Sequence, residues 1–168
     1  CTGFRFTEGK RNAILRADLV EDLGIPAPYY SALKRGIDYV DPQGKVYPAS
    51  ELTFPAPASR SYAFCSDTIR HPIYLNTIHG VDLLYHESTF LHEMVDRAKE
   101  TFHTTSLEAA EIAHEVGAKK LLLGHYSARY KTLTPLLEEA QSVSFTDSKW
   151  VQNLMKSMTR SKSIEQEA

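Results

Sequence analysis

Cysteine is scarce. Cys1 and Cys65 are the only two in 168 residues, and they stand in unrelated contexts. That excludes a disulfide framework and a cysteine-built zinc site, and a reduced, cytoplasmic setting is the simplest expectation. No apolar run is long enough to cross a bilayer, so no membrane partner and no secretory leader are expected. Excess charge is lacking too: the net charge is −2, so any basic footprint for nucleic acid must be local. The seven histidines include no His-x-His or His-x-x-x-His pair, which removes the common zinc spacings. Repeats and low-complexity segments are absent. What is present, 42% hydrophobic residues, suffices for one domain with a real core.

The most informative stretch is FHTTSLEAAEIAHEVGAKKLLLGHYSARY. Thr105 and Glu108 have capping-box spacing, so Thr104 or Thr105 caps a helix that begins near Ser106. Ala109, Ile112, Ala113 and Val116 make its apolar stripe, and Gly117 ends it. Ala118 to Leu123 is an apolar run of the length of a buried parallel strand. His103 then precedes a helix N-terminus, where unpaired N–H groups suit phosphate, and His125 leaves a strand at its carboxyl end, where α/β proteins bind ligands.

Ahead of this stretch, Phe4 and Phe6 alternate with polar neighbours as in a half-buried strand. A helix is predicted over 13–23, ended by Gly24. Ile25-Pro26-Ala27-Pro28 is a rigid connector, and a second short helix runs from Tyr29 to Arg35. Tyr39 to Ala49 reads as a hairpin turning at Asp41-Pro42-Gln43-Gly44. Ser61 to Cys65 is a short strand with Asp67 at its carboxyl end. Pro72 opens a helix to Ile78, and Val81 to Tyr85 is a strand that delivers His86-Glu87-Ser88-Thr89 to the same rim. Two βαβ units therefore line up Asp67, His86 and His125 along one sheet edge. His71, His79, His92 and His114 read as solvated or helix-borne residues without a role. From Ser144 onward the chain is polar and cationic, with Trp150, Val151, Leu154 and Met158 on one face of a possible amphipathic helix.

Four of these motifs, in order, resemble those of ribonuclease Z, the metallo-β-lactamase-fold endonuclease of tRNA 3′ ends. They are SDT at Ser66–Thr68, LLYHESTF, HTTSLEAAEIA and GHYSARY, within a resemblance covering roughly residues 3–140. Ser66 stands where the family has glycine, and Ser88 where it has alanine. The resemblance implies an α/β fold: half of a metallo-β-lactamase αββα sandwich with an arm-like insertion. It divides the chain into a strand and tRNA-clasping arm (1–37), the C-terminal half of the catalytic domain (38–143) and a divergent helical or disordered tail (144–168). It implies two Zn2+ ions per complete site, with Asp67 and His125 as metal ligands. His103 is implied as a proton donor that is not a ligand, and Glu87 as a carboxylate orienting either His103 or His125. Thr104 and Thr105 are implied phosphate contacts, and Arg11, Arg16, Lys34 and Arg35 arm contacts to precursor tRNA.

The family's His-x-His-x-Asp-His cluster is missing, so the chain is expected to be a C-terminal portion that is inactive alone, since a catalytic zinc ordinarily takes three protein ligands. Two other classes compete with this one. One is a metallo-β-lactamase-fold hydrolase of a small ester or cyclic phosphodiester; the other is a non-catalytic RNA-binding or dimerisation module. Because the family packs two sheets face to face, the sheet face bearing Phe64, Leu84 and Leu122 is expected to be covered by a second copy in a homodimer.

Overall fold

The structure is a computed structural model and describes residues 3–143; the tail from Ser144, with its Trp150-bearing face, and Cys1 lie outside the described residues. The chain forms two compact units, one of residues 8–59 and one that joins residues 3–7 to residues 60–143.

The larger unit opens with β1 (Phe4–Thr7), all four residues of which are exposed. A half-buried strand was expected there. Its alternation is real, but neither face of the strand is covered among the described residues.

The smaller unit contains β2 (Ile14–Leu15), α1 (Ala17–Asp22), α2 (Tyr30–Lys34), β3 (Tyr39–Val40), β4 (Val46–Tyr47), α3 (Ala49–Leu52) and β5 (Thr53–Phe54). The first predicted helix is corrected at its start. Ile14 and Leu15 pair with Phe54 and Thr53 instead, and long-range pairing overrides helix propensity. The Pro-Ala-Pro connector holds a single 3-10 turn at Ala27–Tyr29. The hairpin turns where expected, with the Asp41 carboxylate accepting the N–H groups of Gln43 and Lys45 at 2.9 Å each. A core of Val20, Ile25, Leu33, Tyr39, Ala49 and Leu52 binds these pieces together. The unit therefore runs past the 1–37 arm boundary: Tyr39, Ala49 and Leu52 supply half of the core that the arm helices need.

The larger unit continues with β6 (Ser61–Cys65), α4 (Pro72–Ile78), β7 (Leu83–Glu87), α5 (Val95–Glu100), α6 (Ser106–Glu115), β8 (Leu121–Gly124) and α7 (Thr134–Gln141). Its sheet has the order β1-β6-β7-β8, with β1 antiparallel and the other three parallel. The two expected βαβ units are both present. Their strands start later than the apolar runs suggest. Val81 and Ala118 are buried, but the turns that hold Gly80 N–H on Val116 O and Lys119 N–H on Val81 O keep both residues out of the ladder. β7 therefore contains His86 and Glu87 rather than delivering them beyond its end.

Sheet parity sorts the core. Ala63, Cys65, Leu84, Leu121 and Leu123 pack with Leu75 and Ile78 of α4 and with Ala109, Ile112 and Ala113 of α6. The opposite face carries Tyr62, Phe64, Leu83, Tyr85 and Leu122, all half-buried, with Phe4 and Phe6 aligned beside Phe64 and Tyr62. Leu84 is thus corrected to the helix-covered face, where it is fully buried. Tyr85 takes its place, and Phe64 and Tyr85 stack at 4.6 Å. Among the described residues no helix is long and apolar enough to cross a membrane.

Candidate metal centre

The carboxyl ends of three parallel strands meet at one rim. Asp67 follows β6, His125 follows β8, and His103 comes from the loop before α6. One ligand atom of each lies within 4.8 Å of the other two. Asp67 and His125 both adopt left-handed backbone, φ 49° and 54°, as does Phe102 beside His103 at φ 58°. Such conformations cost non-glycine residues energy and cluster where a side chain must be aimed.

Glu87, at the end of β7, is fully buried, and its carboxylate is saturated with donors. It takes Thr68 N–H at 2.5 Å, the Thr89 hydroxyl at 2.5 Å and His103 Nδ1 at 3.0 Å. The expected alternatives for its partner thus resolve to His103. The carboxylate draws the His103 proton onto Nδ1 and leaves Nε2 for a ligand or an exchangeable proton. His125 is reached indirectly: its Nδ1 lies 2.9 Å from Thr89 Oγ1, the same hydroxyl that serves Glu87. Its Nε2 lies 2.7 Å from Asp67 Oδ1. The His103 and His125 rings stack at 5.3 Å. An acidic oxygen and two imidazoles converging on one point form a donor set that fits a borderline-soft divalent ion such as zinc.

Thr89 is the residue that sequence reasoning passed over. Nothing in its sequence pattern gives it a role, yet its hydroxyl lies within 3.3 Å of Glu87, His103 and His125. The signal available was its position, two residues beyond Glu87 at the same strand end. Glu139 of α7 was also missed, together with α7 itself. Its carboxylate accepts Leu107 N–H at 3.1 Å, the Ser106 hydroxyl, and His92 N–H at 2.8 Å. His92 is not idle either: its Nδ1 lies 3.2 Å from Thr105 Oγ1.

These bonds correct the picture of a free helix N-terminus. Thr105 N–H goes to Glu108, Ser106 N–H to Phe90 O, Leu107 N–H to Glu139, and Glu108 N–H to Thr105 Oγ1. The capping box is complete, and no N–H of the first turn is left for phosphate. Thr104 and Thr105 are both buried, and the Thr104 hydroxyl donates to Thr68 O. His86 is likewise not at the rim. It points into the core, where Tyr74 OH lies 3.2 Å from Nε2 and Glu87 O lies 2.8 Å from Nδ1. Burial holds its pKa below the usual imidazole value. Of the other histidines, His114 and His79 are exposed, and His71 caps α4 by accepting Ile73 N–H.

The GHYSARY loop is tied down over the site. Ser127 N–H donates to Thr89 O, Tyr130 OH accepts Leu91 N–H, and the Arg129 guanidinium sits 4.9 Å from the Phe90 ring centre. In the smaller unit Arg11, Lys34 and Arg35 are exposed. Arg16 is half-buried, bonded to Glu51 O at 3.3 Å and lying 5.4 Å from the Phe54 ring centre, so it is spent on its own unit.

A mostly parallel sheet with a carboxylate and two imidazoles converging at its carboxyl edge is an α/β layout with a candidate site for a divalent ion. Over most of its length the chain is a homologue of ribonuclease Z. It is 51% identical to the ribonuclease Z of Porphyromonas gingivalis over 141 residues, 84% of this chain and 46% of that protein. With the ribonuclease Z of Parabacteroides distasonis it shares 46% identity over 143 residues, 85% of this chain and 47% of that protein. A solved metallo-β-lactamase-fold protein from Bacillus subtilis is similar at 24% identity and TM-score 0.47, over 66% of this chain and 42% of that one. No protein-family model matches. The chain spans about half the length of the curated relatives it matches.

Proposed function

We propose that this chain is the metal-binding C-terminal part of a zinc-dependent endoribonuclease that removes 3′ trailers from precursor tRNA in the cytoplasm. One observation carries the reading: Asp67, His103 and His125 bring ligand atoms within 4.8 Å of one another in a homologue of ribonuclease Z. The fold that accompanies this reading is half of a metallo-β-lactamase sandwich. When bound, zinc would supply a water of lowered pKa and neutralise charge on the phosphate.

The chain's own residues do the rest. Asp67 and His125 would hold the ion. Thr89 receives the Nδ1–H of His125 and keeps that imidazole in the ligating tautomer. Glu87 receives the Nδ1–H of His103 and orients Nε2, which donates a proton to the leaving 3′ oxygen. Arg11, Lys34 and Arg35 on the smaller unit contact the tRNA backbone.

The test is a cleavage assay on precursor tRNA with the isolated chain and with the chain joined to the remaining half of a ribonuclease Z relative. The isolated chain stays at background because Asp67 and His125 do not complete a site; the joined protein cleaves. In the joined protein His103→Ala lowers turnover with zinc content kept, whereas Asp67→Ala and His125→Ala lose both. Loss of zinc in His103→Ala would make His103 a ligand and overturn its assignment as the proton donor. Absence of cleavage in the joined protein would overturn the reading.

A further inference from the structure

Phe102 stands where α5 ends and the site begins. The chain leaves the helix through Thr101 and turns on two backbone hydrogen bonds. Phe102 N–H donates to Lys99 O at 3.2 Å, and His103 N–H donates to Ala98 O at 2.8 Å. That pair of bonds closes a helix through a left-handed residue, a position that ordinarily falls to glycine. Phe102 holds φ 58° there, a conformation that costs a bulky side chain energy. The ring does not offset this by packing. It is 70% exposed, and among the described residues no aromatic ring stacks on it. His103 does not need it either, because its imidazole is held by Glu87 at 3.0 Å, by Phe90 edge-to-face at 6.1 Å and by His125 at 5.3 Å.

A ring kept in water at a strained position, one residue before a proton donor, is placed for a ligand rather than for the fold. We infer that Phe102 is a stacking platform for a nucleobase that flanks the phosphate served by His103. The inference rests on the reading of this site as an RNA phosphodiesterase, and it adds where the site grips a base. Consecutive Cα atoms lie about 3.8 Å apart, so the two side chains start from adjacent points of the rim. In RNA the group next to a phosphate is a nucleoside, whose base offers a flat π-face. The chain neighbours favour this partner over a protein surface: Lys99, Glu100, Thr101 and Thr104 are polar, so in its own loop the ring belongs to no apolar run. Every base has such a face, so the platform adds affinity without reading sequence.

The experiment uses the full 168-residue chain with phenylalanine rings labelled for NMR. Two probes are titrated, single-stranded hexaadenylate and an abasic ribose-phosphate hexamer that carries the same backbone without bases. The Phe102 ring protons move upfield with hexaadenylate and stay in place with the abasic hexamer. Phe102→Leu keeps an apolar side chain without a π-face; it weakens hexaadenylate binding by about tenfold and leaves the abasic hexamer unaffected, while Phe102→Trp restores the affinity. Phe102→Gly separates this role from a structural one. It raises the melting temperature by about 2–4 °C, because glycine takes φ 58° without strain, and still loses the affinity. Wild-type affinity for hexaadenylate in Phe102→Leu overturns the proposal, and so does a lower melting temperature in Phe102→Gly, which would make the ring a packing residue. If the joined protein fails to cleave precursor tRNA while hexaadenylate still stacks on Phe102, the nuclease reading fails and the platform stands.

Discussion

His86 and Glu87 are neighbours on β7, both fully buried, and they point to opposite sides of the strand end. His86 donates Nδ1–H to Glu87 O and accepts from Tyr74, so its neutral form is fully satisfied and its charged form is not. Burial depresses its folded pKa, and the unfolded imidazole titrates near about 6.5. The unfolded chain therefore binds more protons below that value. The stability this supplies is present above about pH 6.5 and is lost as pH falls toward the folded value. Urea midpoints between about pH 7 and about pH 5 should fall more steeply for the wild type than for His86→Asn; parallel curves would sink this account. Glu87 poses the reverse problem, a buried carboxylate that survives only through its donors. Thr89→Val removes one of them at nearly constant shape and should cost about 2–3 kcal/mol, whereas Thr89→Ser should retain most of the stability. Equal melting temperatures for Val and Ser would show that the hydroxyl does not support the carboxylate.

At the scale of elements, α6 shows both what a sequence makes legible and what it hides. The helix was readable to within about a residue at its start, because Thr105, Glu108 and Gly117 are local signals that each act within one turn. The conclusion that its N-terminus awaits phosphate was not safe, since Glu139 arrives from a helix 33 residues beyond Ser106. Long-range partners leave no periodic trace. The same limit explains β7, whose apolar run begins at Val81 while the ladder begins at Leu83, and Leu84, whose face depends on a register fixed by pairing with Ala63. Asp67 and His125 were legible as strand-end residues; the hydroxyl that joins Glu87 to both histidines was not. Three substitutions test the cap. Thr105→Ala should destabilise by about 1–2 kcal/mol, the loss of an N-cap. Glu139→Ala should cost about 1–3 kcal/mol by stranding Leu107 N–H and His92 N–H, while Glu139→Gln keeps an acceptor and should cost less. Thermal denaturation of the three variants checks both, and a neutral Glu139→Ala would mean that solvent replaces the carboxylate.

For the whole molecule the decisive feature is a sheet that, among the described residues, has helices on one face only. Helices α4 and α6 bury Ala63, Leu84, Leu121 and Leu123, while Tyr62, Phe64, Tyr85 and Leu122 are only half-buried opposite them. Phe4 and Phe6 extend that surface at 53% and 57% exposure. A contiguous apolar face of this kind is unstable in water unless something covers it. The matched relatives are about twice as long, so in them further chain is available to do so. For the isolated chain the expected cover is a second copy, in a two-fold dimer through the aromatic face. Sedimentation velocity at micromolar concentration should show that dimer. Phe64→Glu should shift it to monomer, since a carboxylate in the middle of the buried face leaves a charge without a partner. Arg35→Glu, on the smaller unit, should leave it intact. Joining the chain to the remaining half of a relative should abolish the dimer without any substitution, because the same face would then be covered from within. A monomer at every concentration, with Phe4 and Phe6 still open to solvent, would show that this face tolerates water and that no second copy covers it.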